Sequence, residues 1–384
     1  MGKGRPAGAR RHVRGSHAMR AVRFHQFGGP SVLHYETVPD PLLGPQDALV
    51  RVFAAGVNHL DLDVRSGTSR WPISLPHIPG TEFAGEVVEV GTEVRDLEVG
   101  TPVVANAAVC GRCRYCRTAR DNLCPHVRNF GLTMPGAYAE LVAAPQDSLI
   151  PLPTGVSFEG AACAQLNFGT AWHMLITRSR LRTGETVLVN AAASSVGVAA
   201  VQIAHLAGGR VIASAGSAKK LEIVRALGAE EVIDYTTHDL EQEVLRLTGG
   251  QGVDLIFEHV GGGMFGTVLN LLAADGRMVL CGGHAGEVVE LDLIPFFRRE
   301  LQLIGSRRAT RQEMVEVLGL LERGLLKPVI DTSFPLSKAR SAHELIEARR
   351  NAGKLLLLPQ AETDYGAGED AEPGQALVPD HRDP

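Results

Sequence analysis

The sequence predicts an α/β protein of two domains, in which a β-rich domain is followed by a doubly wound parallel sheet. The chain has 384 residues, which is enough for two buried cores. From Met19 to Ile150 the apolar runs are short and interrupted by Gly and Pro, a pattern typical of an all-β unit. Beyond Ser157 apolar runs alternate with helical patterns, which indicates successive βαβ units and hence a parallel sheet.

Composition and charge argue against several classes of protein. Hydrophobic residues make up 45% and charged residues 21% of the chain, as in ordinary globular proteins. The net charge of −5 argues against a nucleic-acid partner. The apolar runs fall short of the roughly 18–20 residues of a membrane span, and we find no signal-peptide pattern. We therefore expect a cytoplasmic protein with no membrane partner.

Both ends of the chain have compositions typical of disorder. Residues 1–18 hold five basic residues, no acidic residue and no apolar periodicity. We interpret them as a leader that arises from an upstream translation start or a cloning remnant. Residues 361–384 are acidic and rich in Gly and Pro, which predicts a disordered tail from about residue 359 to 384.

Between the ends, the elements can be placed from their apolar periodicity. In the first half we expect strands that include residues 48–55, 84–90 and 102–108. In the second half we expect strands over 186–190, 210–214, 232–233, 253–258 and 277–281, and helices over 196–206, 219–227, 240–247 and 264–272. After Gly305 we expect a helix over 311–322, a strand near Val329, a helix over 337–349 and a final strand over 354–358.

A turn of small residues follows the first strand of the βαβ series. A G-x-G-x-x-G fingerprint would place glycines here at Ala191, Ala193 and either Ser195 or Gly197, and only Gly197 is a glycine. A dinucleotide site needs a tight turn here and a backbone that closely approaches the pyrophosphate at the helix N-terminus. Small residues such as Ala and Ser partly satisfy these requirements. The predicted cofactor-binding residues of this turn are Ala193, Ser194, Ser195, Val196 and Gly197. An ordinary tight turn of an α/β protein is the alternative.

The end of the second strand indicates which dinucleotide is preferred. NAD sites usually carry an acid at this point for the ribose 2′-hydroxyl, but here the first acid is Glu222. Ser217 and Lys220 come before it, with Lys219 as a substitute, and a hydroxyl with an ammonium suits a 2′-phosphate. We therefore predict NADPH as the cofactor. The alternative is that these lysines are solvated residues at the start of a helix.

Four cysteines lie close together in the first half of the chain. Cys110, Cys113, Cys116 and Cys124 form C-x2-C-x2-C-x7-C, which can close a tetrahedral cage around one structural Zn2+. Five nearby arginines would offset the negative charge of a zinc tetrathiolate: Arg112, Arg114, Arg117, Arg120 and Arg128. A disulfide pair or an iron–sulfur cluster is the competing interpretation.

These features together resemble a known family. The cysteine pattern, the small-residue turn and the segments AAGVNHLDLDVRSG (54–67), IPGTEFAGEVVEVG (78–91), GAYAELV (136–142) and GVDLIFEHVGG (252–262) resemble the medium-chain dehydrogenase/reductase superfamily. Within it, the chain is similar to zinc-containing alcohol dehydrogenases and quinone oxidoreductases over about residues 20–358.

The resemblance implies a domain plan and further cofactor residues. It implies a GroES-like catalytic domain over 19–166 with a zinc lobe at 110–124, a Rossmann domain over 167–307 and a return to the first domain over 308–358. The nicotinamide and a small-molecule substrate are expected in the cleft between the domains. Thr170, Tyr235 and Gly282 are expected at the cofactor, although Tyr235 is nearly as well explained as a surface residue. A homodimer or homotetramer is expected.

The departures from the family pattern concern the catalytic zinc. Its three ligand positions are Asn58, Thr81 and Leu166, and an amide, a hydroxyl and an alkyl group cannot replace two thiolates and an imidazole. The proton-relay hydroxyl is replaced by Leu60. The acid Asp61 is retained beside Asn58, and we predict Asn58 and Asp61 as the catalytic residues.

Several other residues have competing interpretations. His59 is a possible donor beside Asn58, and His173 is interpreted as a core or interface residue. Cys163 and Cys281 are interpreted as small buried residues. The stretch 296–299 fits either the substrate cleft or a subunit interface.

Three functions are consistent with this pattern. The first is an NADPH-dependent reductase of quinones or α,β-unsaturated carbonyl compounds that works without catalytic zinc. The second is an alcohol or aldehyde dehydrogenase with an atypical site. The third is a nucleotide-binding protein without significant turnover. Asn58 and Leu60 favour the first over the second.

Overall fold

The computed structural model describes residues 18–361. The predicted leader lies outside the described residues except for Ala18, and so does the predicted tail beyond residue 361. Gln360 donates a hydrogen bond to the Val52 carbonyl at 3.2 Å, so the packed part of the chain extends past the last strand. No helix within residues 18–361 is long and apolar enough to cross a bilayer.

Fifteen strands and ten α-helices alternate along the described residues. The strands are Ala18–Arg23 (β1), His34–Pro39 (β2), Asp47–Val57 (β3), Glu82–Val90 (β4), Pro102–Ala105 (β5), Leu141–Pro145 (β6), Leu149–Pro151 (β7), Thr186–Val189 (β8), Arg210–Ala215 (β9), Glu231–Asp234 (β10), Val253–Glu258 (β11), Leu272–Leu280 (β12), Gln302–Gly305 (β13), Ile330–Pro335 (β14) and Lys354–Leu358 (β15). The helices are His59–Ser66 (α1), Phe158–Ala161 (α2), Thr170–Trp172 (α3), Ser195–Leu206 (α4), Ala218–Ala226 (α5), Leu240–Leu247 (α6), Phe265–Asn270 (α7), Leu293–Arg298 (α8), Arg311–Glu322 (α9) and Ala339–Glu347 (α10).

The second half of the chain forms a doubly wound parallel sheet, as predicted. Its six strands run in the order β10-β9-β8-β11-β12-β13, which is the 3-2-1-4-5-6 order of dinucleotide-binding folds. Val187 and Val189 of β8 pack in the core cluster that contains α4 residues, while Leu188 packs in the cluster that contains residues of α6 and α7. The strands are thus buried on both faces, which explains their continuous apolar runs.

The first half forms the β-rich unit, and the end of the chain returns to it. Its main sheet runs β14-β15-β3-β4-β5-β7, with β6 also paired to β3. The last strand, β15, pairs antiparallel with β3, and β3 pairs antiparallel with β4. The protein is therefore a mixed α/β fold with a GroES-like domain and a Rossmann domain, as the sequence predicts.

The predicted element boundaries fail in a few places. The helix predicted over 264–272 is wrong at its end, because Leu272 pairs with Val253 and begins β12. The strand predicted over 102–108 ends at Ala105. Two π-helical turns, Ala164–Gly169 and His173–Arg178, flank α3, and such turns often mark functional sites.

Candidate active site and cofactor cleft

Three neighbouring strands bring a lysine, an amide and a carboxylate together at one edge of the first sheet. Gly56 of β3 lies opposite Glu82 of β4, and Val57 lies opposite Leu355 of β15. This register places Asn58, which follows β3, beside Lys354, which begins β15.

The three side chains form one buried network. Lys354 Nζ donates to Asn58 Oδ1 at 2.6 Å and to Glu82 Oε1. Asn58 Nδ2 donates to Glu82 Oε1 at 3.1 Å and to Thr81 Oγ1 at 3.3 Å. The other Glu82 oxygen accepts the backbone N–H of Leu166 at 2.9 Å. The Lys354 and Glu82 side chains are 1% and 0% exposed.

This network fixes the orientation of Asn58. Only one amide orientation lets its oxygen accept from Lys354 while its nitrogen donates to Glu82. The network also joins the three positions at which zinc-containing relatives are expected to carry catalytic ligands. All three, Asn58, Thr81 and Leu166, contact it or each other.

Gly56 provides the space for the ion pair. A Cβ at this position would meet Glu82 Oε1 and would lie 2.6 Å from Lys354 Cε. Any larger residue would therefore displace the Lys354–Glu82 pair. The glycine is needed here for close approach rather than for backbone conformation.

Asp61 lies behind Asn58 rather than on its open side. Its carboxylate accepts the Asn58 backbone N–H at 2.9 Å, which closes a capping box at the start of α1. Burial raises the pKa of Asp61 to about 7, and Asp61 Oδ1 has no hydrogen-bond partner within the described residues. Tyr138 Oη, which lies 3.1 Å from His343 Nε2, donates to Asp61 Oδ2 at 3.5 Å. Asp61 thus acts on the site through Asn58.

Histidines from both domains line the cleft beside this network. The rings of His59 on α1 and His284 after β12 lie 5.2 Å apart, and His284 Nδ1 is 3.1 Å from Asp63 Oδ2. Burial, with a further contribution from His284, lowers the pKa of His59 to about 4. His59 is therefore a neutral imidazole at physiological pH.

The cofactor turn has the backbone geometry that a pyrophosphate requires. Ala191 stands at the position of the first fingerprint glycine and has a positive φ of 47°, the conformation that favours glycine. Ser194 caps α4, where its side chain accepts the Gly197 N–H at 3.0 Å. A Cβ at Gly197 would lie 2.6 Å from the carbonyl oxygens of Ala191 and Ala192, so helix and strand pack closely only around glycine.

The residues of this turn contact the returning chain. Gly353 N donates to Ala193 O at 2.8 Å, and Ser195 Oγ donates to Gly353 O at 2.9 Å. Val196 is half-buried in the first turn of α4. Lys354 therefore directly follows a residue that touches the turn.

A buried polar atom at this turn indicates that a ligand belongs there. His259 follows β11, and its Nε2 lies 3.0 Å from Ser194 Oγ. Its Nδ1 is buried and has no partner within the described residues. The strand order of the sheet reverses between β8 and β11. The free N–H groups at the start of α4 and the unpartnered His259 Nδ1 both lie at this place. Ligands of doubly wound sheets bind at that place. The residues present thus fit a dinucleotide.

The far end of the predicted cofactor site lies at the start of α5. Ser217 caps this helix, and Lys220 Nζ donates to the Arg349 carbonyl at 2.8 Å. Burial lowers the pKa of Lys220. Tyr235 is 50% exposed, and its hydroxyl lies against Gly216.

Two predicted cofactor residues remain, Thr170 and Gly282. Thr170 is buried at the start of α3. Gly282 follows β12 with φ of 98°, and a Cβ there would lie 3.2 Å from His259 O. Gly282 thus lies beside His259, and Thr170 lies on a helix that packs against α4.

The four cysteines of the zinc lobe are assembled for a metal ion. The sulfurs of Cys110, Cys113, Cys116 and Cys124 all lie within 4.8 Å of one another. Two of their separations, 3.5 Å for Cys113–Cys116 and 4.0 Å for Cys110–Cys116, bracket the spacing of about 3.8 Å that four Zn–S bonds of 2.3 Å require. The site fits one tetrahedral zinc with no open position.

The zinc lobe docks against a buried hydrogen-bonded pair, His173 and Glu313. Asn122 Nδ2 lies 3.1 Å from His173 Nε2, and His173 Nδ1 lies 2.8 Å from Glu313 Oε1. His173 is therefore a core residue, as predicted. Arg308 extends the contact by donating to Asn129 Oδ1 at 2.8 Å.

Of the two isolated cysteines, Cys163 is buried and Cys281 is partly buried. Burial raises the pKa of Cys163 to about 12 and that of Cys281 to about 11. Phe296 and Phe297 lie on α8, where Phe296 packs against the sheet and Phe297 is exposed.

Sequence reasoning missed Lys354. It is the only charged residue of the strand KLLLL, and its side chain is buried. The charged residue at the first position of this apolar strand was the feature of the sequence that could have indicated a functional side chain. Arg349 was missed as well, although its charge helps to lower the pKa of His59.

Comparison with known proteins assigns the chain to a family. Residues 44–154 match the alcohol dehydrogenase GroES-like domain, and residues 195–323 match the zinc-binding dehydrogenase domain. The quinone oxidoreductase of Rattus norvegicus is 31% identical over 90% of this chain and 99% of its own length. That of Pseudomonas aeruginosa is 33% identical over 88% and 99%. The chain belongs to the medium-chain dehydrogenase/reductase superfamily.

Solved structures agree with this assignment. The crystal structure of an NAD-dependent alcohol dehydrogenase is 42% identical, with a TM-score of 0.85 over 88% of this chain and 99% of that one. The structure of Escherichia coli quinone oxidoreductase complexed with NADPH is 29% identical, with a TM-score of 0.76 over 88% and 100%. The protein is an oxidoreductase of the quinone reductase type that uses a nicotinamide cofactor.

Proposed function

We propose that the protein is an NADPH-dependent reductase that transfers hydride to a quinone or an α,β-unsaturated carbonyl compound without a catalytic zinc. The observation that carries this proposal is the Lys354–Glu82 ion pair, which contacts Asn58 and Leu166 at two of the expected catalytic ligand positions. Asn58, Thr81 and Leu166 offer an amide, a hydroxyl and an alkyl group, and the Lys354 ammonium already contacts Asn58. A second cation here would meet poor ligands and charge repulsion, so these residues do not fit a zinc ion.

The chemistry that remains favours conjugated acceptors over alcohols. Oxidation of an alcohol needs a stabilised alkoxide and a route for its proton, and Leu60 stands at the relay position. Reduction of a conjugated carbonyl compound needs less stabilisation, because the developing negative charge spreads to the carbonyl oxygen, where hydrogen bonds can stabilise it. A bound dihydronicotinamide supplies the hydride. The residues of the cleft hold the acceptor and exclude water.

The preference for NADPH is proposed from the start of α5. No carboxylate lies between β9 and Glu222, and Ser217 and Lys220 occupy this place. Lys220→Ala should raise the KM for NADPH by roughly 10- to 100-fold, equivalent to about 1–3 kcal/mol, with little change for NADH. Arg225→Ala, at the other end of the same helix, is the control. Equal use of both cofactors by the unmodified enzyme would contradict the preference.

The remaining features of the protein are also proposals. We propose one structural zinc per chain in the zinc lobe, and a cytoplasmic homodimer or homotetramer. The strand β13 supports self-association, because it ends the six-stranded sheet.

A substrate panel tests the function. The purified protein should oxidise NADPH with quinones or 2-enals and show little oxidation of primary alcohols. An alcohol or aldehyde dehydrogenase with an atypical site is the second candidate, because the chain is 42% identical to a protein described as an NAD-dependent alcohol dehydrogenase. Alcohol oxidation at ordinary dehydrogenase rates, with no quinone or enone activity, would favour that candidate. Tight NADPH binding without turnover would indicate a nucleotide-binding protein.

A further inference from the structure

We propose that the Lys354 ammonium is the electrophile of the active site, which binds the carbonyl oxygen of the acceptor in the place where relatives hold a metal ion. This inference rests on the proposed function. It assigns to a lysine on the returning strand a role that the sequence pattern had left to Asn58.

Position is the first argument. Gly353, the preceding residue, is hydrogen-bonded to both Ala193 and Ser195 of the cofactor turn. The Lys354 side chain extends from there to Asn58 of the same β-rich domain, with Nζ 2.6 Å from Asn58 Oδ1. Lys354 therefore connects the cofactor turn, through Gly353, with the predicted catalytic residue Asn58.

Donor capacity is the second argument. An ammonium has three N–H donors. Within the described residues, Lys354 Nζ makes two hydrogen bonds, to Asn58 and Glu82, which leaves one donor for a ligand. Asn58 Nδ2 is already engaged by Thr81 and Glu82, so the amide is the weaker candidate for the acceptor oxygen.

Asn58 and Glu82 then act as positioning residues. They hold Nζ by two acceptors, and Gly56 leaves room for that arrangement. The Lys354 side chain is screened from bulk water, which strengthens its interaction with a developing negative charge. The half-buried Leu166 borders the network, since its backbone N–H donates to Glu82 Oε2.

The proposed step balances in atoms and charge. Hydride addition forms a C–H bond at the acceptor carbon and moves the conjugated π pair onto the carbonyl oxygen. Lys354 donates an Nζ proton to this oxygen as charge develops, and the resulting amine recovers a proton from water. Each acceptor gains one hydride and one proton.

Binding of 4-nitrophenol tests the oxygen site without turnover, because its phenolate resembles the reduced acceptor and absorbs differently from the phenol. The wild type should bind the phenolate form, measured by its absorbance. The variant Lys354→Gln/Glu82→Gln removes both charges and so leaves no buried charge unpaired. It should bind the phenolate at least roughly ten-fold more weakly. The neutral 4-nitrotoluene should bind both proteins alike.

Two further variants separate this role from a structural one. His173→Gln/Glu313→Gln removes another buried pair of the same chain, away from the cleft, and should leave phenolate binding unchanged. Lys354→Arg keeps a positive charge and should retain most of the phenolate binding. Folding of every variant is checked by NADPH binding through fluorescence.

The outcomes distinguish this inference from the function on which it rests. Loss of phenolate binding in the Lys354 double variant alone, with slower quinone or enone reduction, supports both. A double variant that binds NADPH and phenolate like the wild type overturns the inference and leaves the function standing. Failure of the wild type to bind phenolate overturns it as well. A Lys354-dependent phenolate site in a protein that reduces neither quinones nor enones supports the oxygen site and rejects the function.

Discussion

Asp61 offers the sharpest test of the energetics of this site. Burial raises its pKa from the ordinary 3.8 to about 7. Because the folded pKa lies above the unfolded one, folding favours the protonated acid, and stability is lost as pH rises from the unfolded to the folded value. The full effect is roughly 4 kcal/mol, of which about 3 kcal/mol falls between about pH 5 and about pH 8.5. Asp61→Asn should abolish this dependence, because an amide does not ionise.

The measurement is urea unfolding of the two proteins at both pH values. Asn can still accept the Asn58 backbone N–H, so the cap of α1 should survive. Between about pH 5 and about pH 8.5 the free energy of unfolding of the wild type should fall by about 3 kcal/mol more than that of Asp61→Asn. Other titrating groups cancel in that difference. Asp96→Asn, which changes an exposed carboxylate of the same domain, is the control and should show no such difference. Parallel pH curves for Asp61→Asn and the wild type would refute the reasoning.

Four other predictions can be checked. Gly56→Ala should displace the Lys354–Glu82 pair and abolish reduction while NADPH binding, measured by fluorescence, persists. Asn58→Ala should slow hydride transfer by roughly 100-fold in single-turnover experiments, with little change in NADPH affinity. Metal analysis should find about one zinc per chain, and Cys113→Ser or chelation should lower the thermal midpoint; an unchanged midpoint after zinc removal would contradict a structural role. Burial raises the pKa of Glu313, but hydrogen bonds from His173, Thr177 and the Thr310 backbone N–H outweigh it, so the pKa lies below its ordinary value. The carboxylate therefore stabilises the fold above the unfolded pKa, and this stability should be lost on acidification; Glu313→Gln should flatten that acid limb of a urea titration.

Local patterns were enough to predict most of the fold. The apolar runs of β8, β9 and β11 and the small-residue turn before α4 follow from strand burial and tight packing, and both are visible in sequence. The boundary between α7 and β12 was missed because Leu272 is drawn into the sheet by its pairing with Val253, a contact distant in sequence.

The centre of the candidate site could not be predicted from local patterns. Asn58 and Glu82 stand in recognisable segments, but Lys354 lies 296 residues from Asn58 and meets it only because β15 pairs with β3. A single charged residue in an apolar strand gives no hint of its partner. The orphaned nitrogen of His259 is likewise visible only in three dimensions.

The coupling between Lys354 and Glu82 leads to a last prediction. Glu82 is fully buried and needs a counter-charge, and Lys354 supplies one. Restoring the zinc ligands alone, by Asn58→Cys, Thr81→His and Leu166→Cys, should therefore leave the zinc content at about one per chain, because the ammonium holds the metal position. Adding Lys354→Met should raise the content to about two, since the metal then replaces the lysine as the counter-charge. Zinc per chain, measured in both variants by elemental analysis, decides the matter. Two zincs already in the variant that retains Lys354 would show that the lysine and the metal do not compete for one place.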